Sequence, residues 1–167
     1  MAAILILMTL SEIKMKDSSI NNISLDELMP IIREQLAAGE SVKFSPRGVS
    51  MLPMLRQGVD SIVLSPLPQK LKKYDIPLYQ RSNGQYVLHR VVKVEADSYT
   101  MIGDNQFVYE KGITHSQIIG VVTSFYRGEK LCRVTDLSYR IYCVLWCKSR
   151  PLRHFCRRAK NWLRRHL

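Results

Sequence analysis

Between residues 41 and 134 the sequence consists of short apolar segments separated by Gly, Pro, Asn and Asp. Such segments are typical of β-strands, and no helical periodicity intervenes between them. The Ser82-Asn83-Gly84 and Arg127-Gly128-Glu129 segments carry the turn residues expected between antiparallel partners. We therefore predict a mostly β fold, an antiparallel coiled sheet or partly open barrel. The seven predicted strands span residues 42–44, 61–64, 76–80, 85–94, 98–102, 118–126 and 130–134.

One helix is predicted before this β-domain and a basic amphipathic helix after it. Ser24-Leu25-Asp26-Glu27 has the form of a capping box at a helix start, and Gly39 can end the helix. The apolar positions between them follow helical spacing, and Pro30 is expected to kink the helix near its start. The predicted organisation is an N-terminal segment with one helix (1–40), a β-domain (41–134) and a basic amphipathic tail (135–167).

The charge is concentrated in that tail. The chain carries 25 Lys and Arg against 14 Asp and Glu, a formal charge of +11. Residues 1–126 hold 13 basic and 12 acidic side chains, whereas residues 127–167 hold 12 basic and 2 acidic ones. Basic tails usually meet phosphates, either of nucleic acid or of an anionic membrane surface.

The apolar residues of the tail favour the membrane. Beyond Pro151 a Trp/Phe/Leu face is bordered by arginines, which is typical of a helix lying in a membrane interface. We predict peripheral or interfacial attachment to an anionic membrane through residues 148–167, on a side that the sequence does not define. Nucleic-acid binding is disfavoured, and packing of the apolar face on the β-domain is the other alternative. The face consists of Leu152, Phe155, Cys156, Ala159, Trp162 and Leu163.

Two further segments bear on anchoring and metal binding. The apolar run of residues 2–10 is about half the length that a membrane-spanning helix needs, and we interpret it as a short anchor, an extra strand or a misassigned start. Cys143, Cys147 and His154 lie close together in sequence, but none of the four cysteines forms a zinc-ribbon pair. We predict apolar packing for these cysteines and neither a metal nor a cofactor.

The segment Gly48-Val49-Ser50-Met51-Leu52-Pro53, followed by Gly58-Val59-Asp60, carries the most specific signal. It resembles the nucleophile motif Gly-x-Ser-Met-x-Pro of the superfamily of type I signal peptidases and LexA-type self-cleaving repressors. Further segments resemble that superfamily in the same order, and together they cover about residues 42–123. They are Lys73-Tyr74-Asp75-Ile76, Leu88-His89-Arg90-Val91-Val92, Ile102-Gly103-Asp104-Asn105 and Ile118-Ile119-Gly120-Val121-Val122.

The resemblance is closest to the endoplasmic-reticulum and sporulation-type signal peptidases, in which His replaces the Lys base. It implies that Ser50 is the nucleophile and His89 the general base. Asp104 is the preferred residue to orient His89, and Glu110 is the alternative. An imidazole suits the role because its ordinary pKa of about 6.5 lets it accept a proton at neutral pH.

The turn around the nucleophile is expected to supply the oxyanion hole. Gly48, Val49, Met51 and Pro53 support this turn in the resemblance. The endoplasmic-reticulum type usually has a further serine hydroxyl there, but Gly48-Val49 occupies those positions. Stabilisation of the oxyanion is therefore left to backbone N–H groups, chiefly that of Ser50.

The predicted function is a serine endopeptidase that cleaves small-residue sites in exported or precursor peptides. A second hypothesis is a LexA-like regulator that cleaves itself, for which Ala38-Gly39 is the matching dipeptide type. A third is a non-catalytic membrane-binding module of the same fold. The predicted partners are thus a peptide or precursor-protein substrate and an anionic membrane.

Overall fold

The computed structural model describes residues 25–166. Its first helix, α1 (Leu25–Ala37), buries Met29, Ile32 and Leu36. These positions recur at helical spacing and form one apolar stripe, which explains why the segment folds as an amphipathic helix against the sheet. Pro30 lies inside the helix. The apolar run at residues 2–10, the polar segment after it and Ser24 of the predicted capping box lie outside the described residues.

Nine strands follow in the described part of the chain. The structure confirms seven strand-forming regions but divides residues 85–94 into two strands, with His89 between them. It also contains a strand that was not predicted, because Glu110–Thr114 has mainly polar residues and a glycine. The strands are β1 (Val42–Phe44), β2 (Ser61–Ser65), β3 (Pro77–Gln80), β4 (Tyr86–Leu88), β5 (Arg90–Val94), β6 (Ser98–Ile102), β7 (Glu110–Thr114), β8 (Ile118–Arg127) and β9 (Lys130–Arg133).

The strands form two antiparallel sheets. The larger has the order β1-β2-β8-β3-β4, with β9 also paired to β8, and the smaller has the order β5-β6-β7. The long strand β8 organises the larger sheet: β2 pairs along one edge, while β3 and then β9 pair along the other. The prediction of a mostly β, antiparallel fold is confirmed, and the sheets do not close into a barrel.

Two clusters of buried side chains hold the sheets. One lies between the larger sheet and the helices and includes Ile32, Ile62 and Phe125. The other joins residues of both sheets and includes Tyr79, Val91 and Met101. Because β4 runs directly into β5, the chain passes from one sheet to the other at His89, at the boundary between these two clusters.

Two helices complete the described chain, α2 (Leu137–Lys148) and α3 (Arg150–His166). Tyr139 and Cys143 of α2 are buried in the first cluster, so this helix belongs to the packed body although it lies in the predicted tail. By contrast, the large apolar side chains of α3 are exposed. No helix within residues 25–166 combines the length and apolarity required to cross a membrane.

Candidate active site

Ser50 lies in the loop between β1 and β2, and this loop is firmly anchored. Met51, Met54 and Leu55 are buried in the core, so the chain immediately after Ser50 is fixed to the protein interior. The loop ends at Asp60, whose buried carboxylate accepts hydrogen bonds from the backbone and guanidinium of Arg56. Ser50 is therefore held in position relative to the sheets by the anchored loop around it.

The loop after β6 holds the Ser50 turn from the other side. The backbone N–H of Asn105 donates to the carbonyl of Ser50 at 2.8 Å, and its side-chain amide donates to the carbonyl of Val49 at 3.2 Å. Gly103 packs directly against the turn. A Cβ atom at Gly103 would lie 2.7 Å from the Ser50 carbonyl oxygen, so only glycine allows this approach without displacement.

The same position shows that the side chains of Ser50 and His89 are neighbours. His89 Nε2 and Ser50 Cβ each lie 3.1 Å from the point that a Gly103 Cβ would occupy. The two atoms are therefore separated by at most about twice that distance, so Ser50 and His89 both border Gly103. A serine hydroxyl and a base are thus brought together at the boundary of the two sheets.

The other ring nitrogen of His89 faces Glu110. The distance from His89 Nδ1 to Glu110 Oε1 is 2.9 Å, and the Tyr79 hydroxyl lies 3.2 Å from the same nitrogen. A carboxylate at Nδ1 favours the tautomer with the proton on that nitrogen, which leaves Nε2 as an acceptor on the side of Ser50. The His89 ring thus lies between Glu110, which contacts its Nδ1, and the Ser50 turn, which borders Gly103 together with Nε2.

Glu110 is held by Tyr79 of β3 and by Arg81, which directly follows that strand. Arg81 donates from Nε to Oε2 at 2.7 Å and from a terminal nitrogen to Oε1. Burial opposes ionisation of Glu110, but hydrogen bonds from Arg81 and Tyr79 outweigh it and lower the pKa of this carboxyl below its ordinary value. The group beside His89 is therefore an anion at neutral pH.

His89 is neutral under the same conditions. Its side chain is only 1% exposed, and burial lowers the pKa of His89 to about 4, against the opposing effect of the Glu110 carboxylate. The positive charge of Arg81 lowers it further. A neutral imidazole with a free Nε2 is the form that can accept a proton from a serine hydroxyl.

Asp104, which the sequence favours as the residue that orients His89, is instead paired with Arg90. Both of its oxygens are bonded to Arg90, Oδ1 to Nε at 2.8 Å and Oδ2 to a terminal nitrogen at 2.7 Å, and both side chains are fully buried. Arg90 also donates to the Tyr139 hydroxyl, while Trp146 donates its indole N–H to the Asp104 carbonyl. Asp104 thus joins the loop after β6 to α2, and Glu110 is the candidate that contacts His89.

The residues predicted to support the oxyanion turn have distinct surroundings. Gly48 has a φ of 103°, in the left-handed region that favours glycine, and its N–H donates to the Gln57 side chain at 2.8 Å. Val49 is 60% exposed, Met51 is buried, and the Leu52–Pro53 peptide is cis. Within residues 25–166 no hydrogen bond from the Ser50 N–H is seen, so it is one of the available donors of this turn.

A cavity of about 460 Å³ opens at Ser50 and His89. The Ser50 turn forms one wall, β4 forms another, and Arg157 of α3 contributes at the rim. Strand β4 is an edge strand of the larger sheet. The cavity is therefore lined both by Ser50 and by a strand at the edge of the larger sheet.

Arg81, Tyr79 and Gly103 were not predicted as site residues. Tyr79 lies on β3 and Arg81 directly follows it, in a segment that carries no recognised motif. Only the folded structure shows that both side chains reach Glu110. Gly103 belongs to a recognised segment, and the absence of a side chain there is the feature that could have indicated a close approach to another part of the chain. Elsewhere in residues 25–166, no three His, Cys, Asp or Glu side chains converge as metal ligands would. Cys143 instead accepts a hydrogen bond from Arg90.

Neither a scan against models of protein families nor a search of curated protein sequences finds a match to this chain.

Proposed function

We propose that this protein is a serine endopeptidase in which Ser50 is the nucleophile, His89 the general base and Glu110 the residue that orients His89. The observation that carries the proposal is the position of the His89 ring, with one nitrogen at the Glu110 carboxylate and the other beside Ser50. Nucleophile, base and orienting anion in this order are the requirements for activating a serine hydroxyl.

The proposed reaction has two steps. His89 Nε2 takes the proton of the Ser50 hydroxyl as the oxygen attacks the scissile carbonyl, and the resulting imidazolium is stabilised by Glu110. The same proton then passes to the leaving amine, which gives an ester between Ser50 and the acyl part of the peptide. Water, deprotonated by His89, hydrolyses this ester and regenerates the serine.

The oxyanion formed in each step needs hydrogen-bond donors that are already in place. The Ser50 N–H is suited to this role because no described group accepts from it. Gly48 is less suited because its N–H is already bonded to Gln57. A further donor at the cavity is the side-chain amide of Asn105, which has two N–H groups and uses one of them on the Val49 carbonyl of this turn.

The substrate proposed for this site is a peptide segment in extended conformation. Strand β4 lines the cavity and lies at an edge of the sheet, so its free backbone groups can pair with an added strand. The resemblance of the nucleophile segment and the following segments to signal peptidases extends the proposal to that fold and to small-residue sites in exported or precursor peptides.

The test is digestion of a synthetic peptide library by the purified full chain, with products identified by mass spectrometry. We expect new termini at recurrent small-residue positions, which do not form with Ser50→Ala. Ser45→Ala is the matched control, because it removes an exposed hydroxyl from the same loop. Cleavage that survives Ser50→Ala would overturn the proposal.

Self-cleavage at Ala38-Gly39 is the alternative from the same superfamily. In the structure this dipeptide lies in the turn after α1 and is not among the residues that line the cavity of Ser50. Self-cleavage would therefore require this turn to move into the cavity. The intact mass of the protein after incubation at alkaline pH tests this alternative: fragments ending at residue 38 support the regulator, and an unchanged mass rules out self-cleavage under these conditions.

A further inference from the structure

Helix α3 has one face that is apolar and turned away from the protein. Its large apolar side chains are well exposed: Leu152 is 66%, Phe155 is 69%, Trp162 is 60% and Leu163 is 48% accessible. A monomeric soluble protein rarely exposes so many large apolar residues on one element. A shallow groove runs along this face, bounded by Phe155 and Trp162.

The opposite face of α3 attaches the helix to the β-domain. Arg153 stacks on Trp146 at 3.6 Å from the ring centre and donates to the Asp104 carbonyl. The rings of His154 and Phe107 lie 4.8 Å apart, and Arg157 stacks on Phe107. These contacts orient α3, so its apolar face points outward from a helix that is already docked.

The same contacts place α3 at the mouth of the candidate active site. Arg157 lines the cavity that contains Ser50 and His89. The helix therefore borders the cavity, and a surface that covers its outer face lies about one helix diameter, roughly 10–12 Å, from the side that lines the cavity.

The charge of the segment identifies the kind of partner. Residues 148–167 contain 8 Lys and Arg and no Asp or Glu. Among the described arginines of this helix, Arg157, Arg158 and Arg164 are exposed. An anionic bilayer matches both properties, because its headgroups attract the arginines and its acyl chains accept the apolar face. Nucleic acid would use the arginines and leave Phe155 and Trp162 in water.

We propose that α3 lies in the plane of an anionic bilayer, with Phe155 and Trp162 inserted beneath the headgroups, and that it holds the mouth of the Ser50 cavity at the lipid surface. Lipid binding in this proposal uses α3 alone. It therefore stands or falls independently of the proposed peptidase activity.

The first measurement is cosedimentation of the full wild-type chain with vesicles of phosphatidylglycerol and phosphatidylcholine, compared with phosphatidylcholine alone. We expect binding to the anionic vesicles that weakens as salt is raised, since exposed charges are screened. Insertion is read from quenching of tryptophan fluorescence by brominated acyl chains. Trp162→Phe should retain binding and lose most of the quenching, because Trp146 is covered by Arg153 and Tyr142.

Matched variants locate the surface. Phe155→Glu combined with Trp162→Glu should weaken binding roughly tenfold or more, because two apolar side chains can no longer enter the acyl region. Ile31→Glu combined with Leu131→Glu changes two exposed apolar residues on other elements by the same charge and should bind as wild type. An unchanged unfolding midpoint in both double variants shows that the fold is intact.

Three results would overturn the proposal. One is equal vesicle binding by the two double variants. Another is binding to a DNA duplex with no binding to anionic vesicles, which would assign the arginines to nucleic acid. The third is a concentration-dependent dimer that is abolished by the Phe155 and Trp162 changes in the absence of vesicle binding, which would assign the face to a second copy.

Discussion

Glu110 Oε1 lies 2.9 Å from Nδ1 of His89, on the side of the imidazole opposite Ser50. This pairing joins the two sheets, because His89 follows β4 of the larger sheet and Glu110 begins β7 of the smaller one. Arg81 fixes the carboxylate from behind. The chemistry that we propose for Ser50 thus depends on how the two sheets meet.

Replacing Glu110 by Gln should lower kcat strongly while the fold remains. The amide keeps the shape of the side chain but cannot stabilise the imidazolium, and loss of such a carboxylate costs on the order of a thousandfold or more in kcat. Steady-state rates on a cleaved peptide measure the effect. Glu95→Gln, an exposed glutamate paired with Lys93, is the control and should leave kcat unchanged. A wild-type rate for Glu110→Gln would show that the Glu110 carboxylate takes no part in catalysis.

The pH dependence of kcat/KM should show an acidic limb far below the ordinary value for histidine. The active form of His89 is the unprotonated one, and burial lowers the pKa of His89 to about 4. Activity is therefore expected to be complete at neutral pH and to be lost only as the pH falls through about 4. A limb near the unperturbed value of about 6.5 would contradict the burial of His89.

Arg81→Gln should move that limb toward neutral pH. The guanidinium lowers the pKa of His89 by repelling its protonated form, and removing it raises the pKa of the imidazole. We expect a lower kcat as well, because Glu110 loses its bidentate partner. Arg127→Gln, on an exposed arginine at the end of β8, should leave the limb in place. An unshifted limb in Arg81→Gln would show that Arg81 does not act on His89.

Gly103→Ala should abolish activity by pushing apart Ser50 and His89. The added methyl would lie 2.7 Å from the Ser50 carbonyl oxygen and 3.1 Å from His89 Nε2, so one of them must move. Gly128→Ala is the matched control: it strains a turn with a φ of 62°, and nothing lies near its added methyl. It should cost about 1–3 kcal/mol of stability and retain activity. Full activity in Gly103→Ala would contradict this prediction, because it would show that the Ser50 turn accommodates the methyl group without loss of catalysis.

Asp104→Asn should destabilise the protein by roughly 3–5 kcal/mol, because it leaves the fully buried Arg90 without a compensating charge. Chemical denaturation measures the free energy of unfolding. Lys93→Ala breaks the solvent-exposed pair with Glu95 and should cost less than about 1 kcal/mol. If Asp104→Asn proved as mild as Lys93→Ala, Asp104 would not be the structural link between the loop after β6 and α2.

Most of the fold was predictable because its strands are short apolar segments bounded by turn residues. The missed strand β7 is polar and only half-covered, with Ile113 as its buried residue. The sequence also did not predict that residues 85–94 divide into two strands. His89 and Arg90, where the division falls, are buried in the same way as residues in the middle of a single strand. Their role becomes visible only when the strands are assigned to different sheets.

The candidate site was predictable in part. Ser50 and His89 lie in segments with a specific local pattern, whereas the choice between Asp104 and Glu110 depends on packing. Asp104 belongs to a recognised segment and Glu110 does not, but both carboxylate oxygens of Asp104 are bonded to Arg90, the residue directly after His89. The partner of a buried arginine is set by three-dimensional proximity, and sequence separation does not reveal it.

The most direct test of the account compares kcat/KM for one cleaved peptide in the wild type, Ser50→Ala, His89→Ala and the Ser45→Ala control. We expect a loss of about a thousandfold or more in each of the first two variants, with wild-type cleavage in the control. The two losses should not add in the double variant, because both residues act in the same step. Cleavage at the wild-type rate by Ser50→Ala or His89→Ala would contradict the central claim.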